Sequence, residues 1–243
     1  MSKAFSFRKT ALAAASALAF GLVSFNASAA LSITTITTTV GITSTLTSAL
    51  IAGGSGISVV GGSETYQGVN NGNIQQSGTY TGFNLAPSSG PTPTLTMGDG
   101  IFLTSGIANL PLTNTVNQFS HVVGSGSNAA LTALSGFNTN DANALKFDFT
   151  VGTGKNSVSA KFVFGTDEFP TQSVTDIFGF FVDGVNYAKF GNGQLISNTP
   201  GNPTNFISNP VGSGLYGLGL VFHHCGNVAG DAEANKIFAC AGR

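Results

Sequence analysis

Two stretches in the middle of the chain alternate apolar and polar residues with a period of two. In LKFDFTV, Leu145, Phe147, Phe149 and Val151 are separated by Lys146, Asp148 and Thr150. In SVSAKFVF, the apolar series runs through Val158, Ala160, Phe162 and Phe164. Successive side chains of a strand point to opposite faces, so each stretch predicts a strand with one buried face. Gly152-Thr153-Gly154-Lys155-Asn156 lies between them, and the pair is expected to form a β-hairpin. Further on, DIFGFFVDG and VNYAKF predict two more strands around a turn at Asp183-Gly184. The first of these is apolar at nearly every position, which predicts a central strand covered on both faces.

The period changes towards the N-terminus. Ile42, Leu46, Leu50 and Ile51 follow helical spacing and Gly53-Gly54 ends the run, predicting a short amphipathic helix over 42–51. GISVV (56–60) and GIFLTS (100–105) read as compact strands, and LSITTITTTV (31–40) as an extended opening segment. Residues 61–98 are rich in Gly, Asn and Ser, with Pro87, Pro91 and Pro93 close together, so short strands and long loops are expected there. HVVGSGSNAA (121–130) holds Gly124 and Gly126 but neither a third glycine nor a βαβ pattern; it predicts a mobile surface loop, not a phosphate cradle. From Gly212 a Gly-rich apolar strand begins, and its pattern is lost after Phe222. Together these elements predict an all-β fold, a β-sandwich of jelly-roll type with one short N-terminal helix and long Gly/Asn/Ser-rich loops.

Composition alters this picture first at the N-terminus. Lys3, Arg8 and Lys9 precede an apolar run from Thr10 to Phe25, and Ala27-Ser28-Ala29 supplies a small-x-small cleavage pattern. Residues 1–29 therefore read as a secretory signal peptide, the run being too short and wrongly flanked for a permanent membrane span. Cleavage after Ala29 leaves residues 30–243, expected as a single domain. Six basic residues then remain against ten acidic ones, a net charge near −4. That balance argues against nucleic-acid binding, which needs a basic face for phosphates. No run of like charge marks a basic membrane-surface patch. Hydrophobic residues at 42% permit a sizeable core, and with 20 Phe and no Trp that core should be built on phenylalanine.

The two cysteines, Cys225 and Cys240, most simply form one disulfide in an exported chain. His223 and His224 beside Cys225 raise a metal cluster as the alternative, but the spacing matches no zinc template.

Charged residues are 8% of the chain, yet Asp167, Glu168 and Asp176 fall within ten positions in FGTDEFPTQSVTDIFGFF. Pro170 closes the first strand, so these acids should line a rim loop between two aromatic strands. In the expected hairpin, Asp141 of NTNDANAL starts beside the end of the partner strand and reaches the same rim. Three readings compete. In the first, the acids are ordinary solvated turn residues. In the second, Asp141, Asp167, Glu168 and Asp176 hold Ca2+, which takes about six to eight oxygens of the kinds rim loops offer, although no DxDxDG loop is present. In the third, Asp176 pairs with Asp167 or Glu168 in a hydrolase site. Adjacent Asp167 and Glu168 point to opposite faces of an extended strand and cannot form that pair by themselves. No GxSxG elbow occurs, and His121, His223 and His224 stand in ordinary contexts, so no enzymatic activity is expected.

FVFGTDEFP followed by DIFGFFVDGVNYA resembles the signature of bacterial choice-of-anchor L domains, an F-x-F-[AG]-[ST]-[ED]-E-[YF]-P segment ahead of an N-D-[VI]-F-G-F-F strand. LTSALIAGGSGISVV is similar to the opening helix and first strand of that family, GDGIFLTSG to its next strand, and NDANALKFDF to its N-D-A-x-x-L-x-F-x-F segment. The resemblance covers about Leu31 to Phe190. It implies a secreted or surface-displayed bacterial β-protein, often carrying a C-terminal sorting signal such as PEP-CTERM or a type IX tag, in a family whose biochemical activity is unassigned. The acidic signature falls on Asp167 and Glu168, the strand-initial acid on Asp176 and the N-D-A acid on Asp141. Asp167 stands where Glu is usual and Thr175 where Asn is usual. The end departs further: HHCGNVAGDAEANKIFACAGR lacks both the family's acidic closing segment and a sorting signal. Residues 222–243 are therefore expected as a divergent or truncated segment, and a missing closing strand would leave an open sheet edge.

The expected protein is an exported, non-enzymatic component of the cell surface or extracellular matrix, acting in adhesion, matrix or surface assembly, with Ca2+ as the cofactor considered. The alternative is a carbohydrate-binding or carbohydrate-cleaving sandwich that stacks sugars on Tyr66, Tyr80 or Tyr187. Extracellular polysaccharide or other surface proteins are the expected partners.

Overall fold

The computed structural model describes residues 31–85, 94–108, 121–166, 175–198, 206, 221–225 and 234–242. Within them, β1 (Ser32–Thr35), α1 (Ile42–Leu50), β2 (Ile57–Val59), β3 (Thr65–Gln67), β4 (Ser77–Leu85), β5 (Leu95–Leu103), α2 (Ala129–Ser135), β6 (Asn140–Val151), β7 (Phe162–Thr166), β8 (Ile177–Val182), β9 (Val185–Asn186), β10 (Val221–Cys225) and β11 (Ala234–Gly242) follow one another along the chain. The expected signal peptide, the Pro87–Pro93 stretch, Asp167 and Glu168 lie outside the described residues.

β6 organises the largest sheet, and its inward series Leu145, Phe147 and Phe149 is buried, as the alternation predicts. β2 and β3 run end to end along one edge, Ile57 opposite Val151 and Thr65 opposite Lys146. β11 runs antiparallel along the other edge, β8 antiparallel beside β11, and β9 outermost. β6 and β8 are therefore parallel to one another, held apart by one strand. The β8–β9 turn falls at Asp183-Gly184 as expected, with φ 49° and 77°, the paired positive values that a two-residue type I′ hairpin requires.

The hairpin expected between 145–151 and 158–164 does not form. β2, β3 and β11 occupy both edges of β6, and β7 pairs with β10 in a separate ribbon. There Phe162 and Phe164 meet Phe178 at ring-centroid distances of 4.7 and 6.4 Å. A third sheet, ordered β1–β4–β5, lies with α1 over the β6 half of the inward face. Ile42 and Leu46 of α1 and Ile101 and Leu103 of β5 pack on Leu145, Phe147 and Phe149. The all-β class holds: the ladders are antiparallel, and no sheet closes into a barrel among the described residues.

α1 is a poor helix by propensity, since Ile42, Thr43, Thr45 and Thr47 are all β-branched. It forms because Ile42 and Leu46 sit one turn apart and bury against β6, tertiary packing outweighing local preference. A second helix was not foreseen: the expected 121–130 loop ends in α2, so there are two helices where one was predicted. Asn128 caps α2 by accepting from the Ala130 and Leu131 amides, and Gly136 ends it at φ 76°. Leu131 is wholly buried among Ala142, Ala144, Ile177 and Phe181, on the outward face of the large sheet. Gly179 makes room there, because an added Cβ would lie 2.3 Å from the Phe181 ring and 3.1 Å from Leu131 Cδ2. β8 thus shows Phe178 and Phe180 to one layer and Ile177 and Phe181 to α2, which accounts for its apolar run.

The segment in which the pattern is lost after Phe222 supplies the middle of the large sheet. β11 stands between β6 and β8, with Phe238 opposite both Leu145 and Phe180. Among the described residues, this sheet has β2 and β3 along one edge and β9 along the other.

Candidate functional site

β6 and β8 start at the same end of the sheet. Asp141 at the head of β6 and Asp176 just before β8 therefore share one rim, two strand spacings or roughly 10 Å apart. The shared rim was expected from a hairpin; it arises instead from two parallel strands flanking β11.

Asp141 occupies φ 51°, a left-handed conformation that Asp tolerates better than most residues. Its Oδ1 accepts from the backbone amides of Val123 at 3.2 Å and Gly124 at 2.7 Å, fastening the 121–126 turn to β6. Its carbonyl accepts from Gln76 Nε2 at 3.1 Å. Gln76 is fully buried, and the same Nε2 also faces the carbonyls of Thr104 at 3.2 Å and Ser105 at 3.3 Å, while its Oε1 accepts from the Val69 amide. Asn143, two residues along β6, donates Nδ2 to the Gln76 and Thr104 carbonyls. Its Oδ1 meets no hydrogen-bond donor among the described residues. Asn70 Nδ2 donates to Tyr66 Oη, and the Tyr66 hydroxyl donates to Ser77 Oγ, extending this buried knot. Burial pushes the Tyr66 hydroxyl above its ordinary pKa, with Ser77, Asn70 and Asn143 pulling the other way.

Asp176 works differently. Its Oδ2 accepts from the hydroxyl of buried Thr166 at 2.6 Å, a short charge-assisted bond from the end of β7 to the start of β8. Its amide donates to Asn198 Oδ1 at 2.6 Å, and the Asn198 amide donates back to the Asp176 carbonyl at 3.4 Å. Thr166 and Asp176 thus clasp the base of the segment that carries Asp167 and Glu168, two of the expected metal ligands. Among the described residues no three His, Cys, Asp or Glu side chains gather closely enough to hold a metal ion. Asp141 and Asp176 are brought to one rim, and Asp167 and Glu168 lie outside the description.

Of the tyrosines expected to stack on sugars, Tyr66 is tied into the buried knot and packs with the α1–β6 cluster. Tyr80 packs on Phe83, and burial together with the Asp99 carboxylate pushes its hydroxyl up to about 12. Tyr187 is 37% exposed. Cys225 stands opposite Phe162, and Cys240 opposite Asn143 and Phe178.

Sequence reasoning missed Gln76, Asn143, Asn70, Thr166 and Asn198. One signal was present: Asn143 lies two residues before Leu145, a polar side chain in the inward series of β6. Gln76, in a polar stretch, carries no such mark.

A family model described as the choice-of-anchor L domain matches residues 35–211, well over half of the chain. No curated protein and no solved structure matches it. No described helix is long and apolar enough to cross a membrane.

Proposed function

Because this chain belongs to the choice-of-anchor L domain family, a family of surface-associated bacterial proteins, we propose that it is exported through a cleaved signal peptide at residues 1–29. In this reading it acts without catalysis, in adhesion or in matrix or surface assembly. The observation that carries the non-enzymatic part is the use of the rim acids. Asp141 Oδ1 is engaged by two loop amides and Asp176 Oδ2 by a buried hydroxyl, so these carboxylates hold loops in shape. A general acid or base needs a proton within reach of a substrate instead. Expression in a bacterial host, with and without residues 1–29, tests the exported part. Protease shaving should remove the full chain from the cell exterior and leave the shortened one untouched inside; identical fates for both sink it.

A calcium ion is the cofactor of this reading, with Asp167 and Glu168 joining Asp141 and Asp176 at the rim. Melting the mature protein with millimolar Ca2+ should raise its Tm, since a ligand of the native state stabilises it by mass action. An unchanged Tm removes calcium from the reading. Exposed Tyr187 keeps a carbohydrate-binding alternative alive. A glycan array and a panel of polysaccharide hydrolysis assays decide it, and hydrolysis that disappears in folded Asp176→Asn would establish an enzyme.

A further inference from the structure

Asn-Gly occurs twice in the chain, at Asn71-Gly72 and at Asn192-Gly193, and both pairs are exposed. Glycine carries no side chain to shield its backbone nitrogen, so that nitrogen can close on the carboxamide carbon of the asparagine before it. The two asparagines are held differently. Asn192 Oδ1 accepts from one backbone amide, that of Gln194 at 3.1 Å, and its Nδ2 donates to Gln194 Oε1 at 2.6 Å. Asn71 Oδ1 accepts from two, the amides of Asn73 and Ile74, each at 2.8 Å. Two amides aimed at one carbonyl oxygen in this range make an oxyanion hole, whose hold strengthens as negative charge gathers on the oxygen.

The turn that carries Asn71 also anchors the buried knot. The Asn71 amide donates to the Ile74 carbonyl at 2.7 Å, and the Asn71 carbonyl accepts from Gln75 Nε2. Asn70 bridges to Gln75, and its Oδ1 accepts from the amide and hydroxyl of Ser77. Gln76 follows directly, its amide on the Val69 carbonyl and its Oε1 on the Val69 amide.

We propose that the β3–β4 turn promotes the deamidation of its own Asn71, and that the isoaspartyl product slackens the knot. The Gly72 nitrogen gives its proton to water and bonds to Asn71 Cγ, while the Asn73 and Ile74 amides meet the charge that forms on Oδ1. Nδ2 leaves as ammonia and a five-membered imide closes. One water then opens the ring. Opening at Cγ leaves an aspartyl residue at position 71, whose carboxylate keeps both amides. Opening at the main-chain carbonyl leaves an isoaspartyl residue, which lengthens the main chain by one carbon and displaces the carbonyl that holds Gln75. The sum is one water taken up and one ammonia released, so the reaction is independent of export.

The purified folded chain is aged in mildly alkaline buffer and digested with chymotrypsin, which yields peptides 67–80 and 191–195. One oxyanion donor is worth about 100-fold or more in a water-free site, and an exposed turn keeps part of that, so position 71 should gain one mass unit roughly tenfold faster than position 192. In guanidinium chloride, which dissolves the hole, the two sites should keep the same pace. Asn71 that reacts no faster than Asn192 in the folded chain, or no faster folded than unfolded, overturns the proposal. An added Cβ at Gly72 meets nothing within 4 Å, so Gly72→Ala leaves the fold intact. It should slow reaction at Asn71 roughly tenfold by crowding the attacking nitrogen, with Asn192 unchanged; an unslowed reaction overturns the imide route. Isoaspartyl content, read by enzymatic methylation of its carboxylate, should track faster amide exchange at Val69 and Gln76 while Phe178 and Phe180 stay as they were. Asn71→Asp, which brings the charge without the extra carbon, should exchange like the parent. Unaltered exchange at Val69 and Gln76 in isoaspartyl-rich protein overturns the slackening.

Discussion

The inward face of the large sheet is built in two ways. Over β8, phenylalanines pack on phenylalanines: Phe164, Phe178, Phe180 and Phe190 with Ala188 and Ile196. Over β6, Leu145, Phe147 and Phe149 meet α1, but the head of the strand gives way to a buried polar knot around Gln76, Asn143, Asn70 and Tyr66. Apolar contacts are non-directional, so the β8 half gains cohesion without fixing a unique arrangement. Buried hydrogen bonds are directional and costly to leave unmade, so the knot adds specificity at the point where three loops converge. The rim acids follow the same division, Asp141 holding backbone amides and Asp176 joining one strand end to another.

Truncation should separate the halves most clearly. Phe180→Ala, at the centre of the β8 half, should cost about 3–5 kcal/mol in urea unfolding, the usual range for a buried phenylalanine. Gln76→Leu keeps the volume but strips the Ser105 and Asp141 carbonyls of their side-chain donor and the Val69 amide of its acceptor. A loss of about 1–3 kcal/mol is expected, and a neutral result would mean that the knot contributes nothing the β8 half does not. Asp176→Asn should cost about 1–2 kcal/mol by weakening the charge-assisted bond from Thr166, read as a Tm drop that Thr166→Val does not deepen. Asn143→Leu should be milder, within about 1 kcal/mol of the parent. The Gln76 carbonyl keeps the Thr104 amide, the Thr104 carbonyl keeps Gln76, and the partnerless Oδ1 disappears.

The gentlest probe is pH. The Tyr80 hydroxyl, pushed up to about 12, stays neutral in the folded chain while an unfolded tyrosine ionises near 10. Its folded pKa is raised, so its contribution is complete below pH 10 and fades between about 10 and 12. Tyr66 is raised in the same direction and adds to the loss. Thermal melts should therefore weaken over that interval, and Tyr80→Phe should flatten the decline.

What was legible in the residues followed from short-range signals. α1, β2, β8 and the Asp183-Gly184 turn were each carried by a local period or a dipeptide that demands positive φ. Strand partners were not, because pairing depends on which edges other segments have taken. The alternating stretch at 145 is a strand throughout and that at 158 only from Phe162, yet β2, β3 and β11, far apart in the chain, occupy both edges of β6. α2 escaped because seven residues give less than two full helical periods; Asn128 and Gly136 were its only punctuation. The rim was half legible: Asp141 and Asp176 do share it, but their partners Gln76, Thr166 and Asn198 are ordinary polar residues whose roles exist only in three dimensions.

One consequence of the β11 position concerns time. A chain made and threaded from its N-terminus presents residues 140–151 and 177–182 long before residues 234–242 emerge. Until then the strands at the centre of the largest sheet have no neighbour between them, and pairings this distant in sequence form slowly. The β6–β11–β8 part of the sheet therefore cannot close before residues 234–242 have been made. A sheet whose central strand comes from so far along the chain is bound to late synthesis: its two inner neighbours wait for it, unpaired on that side.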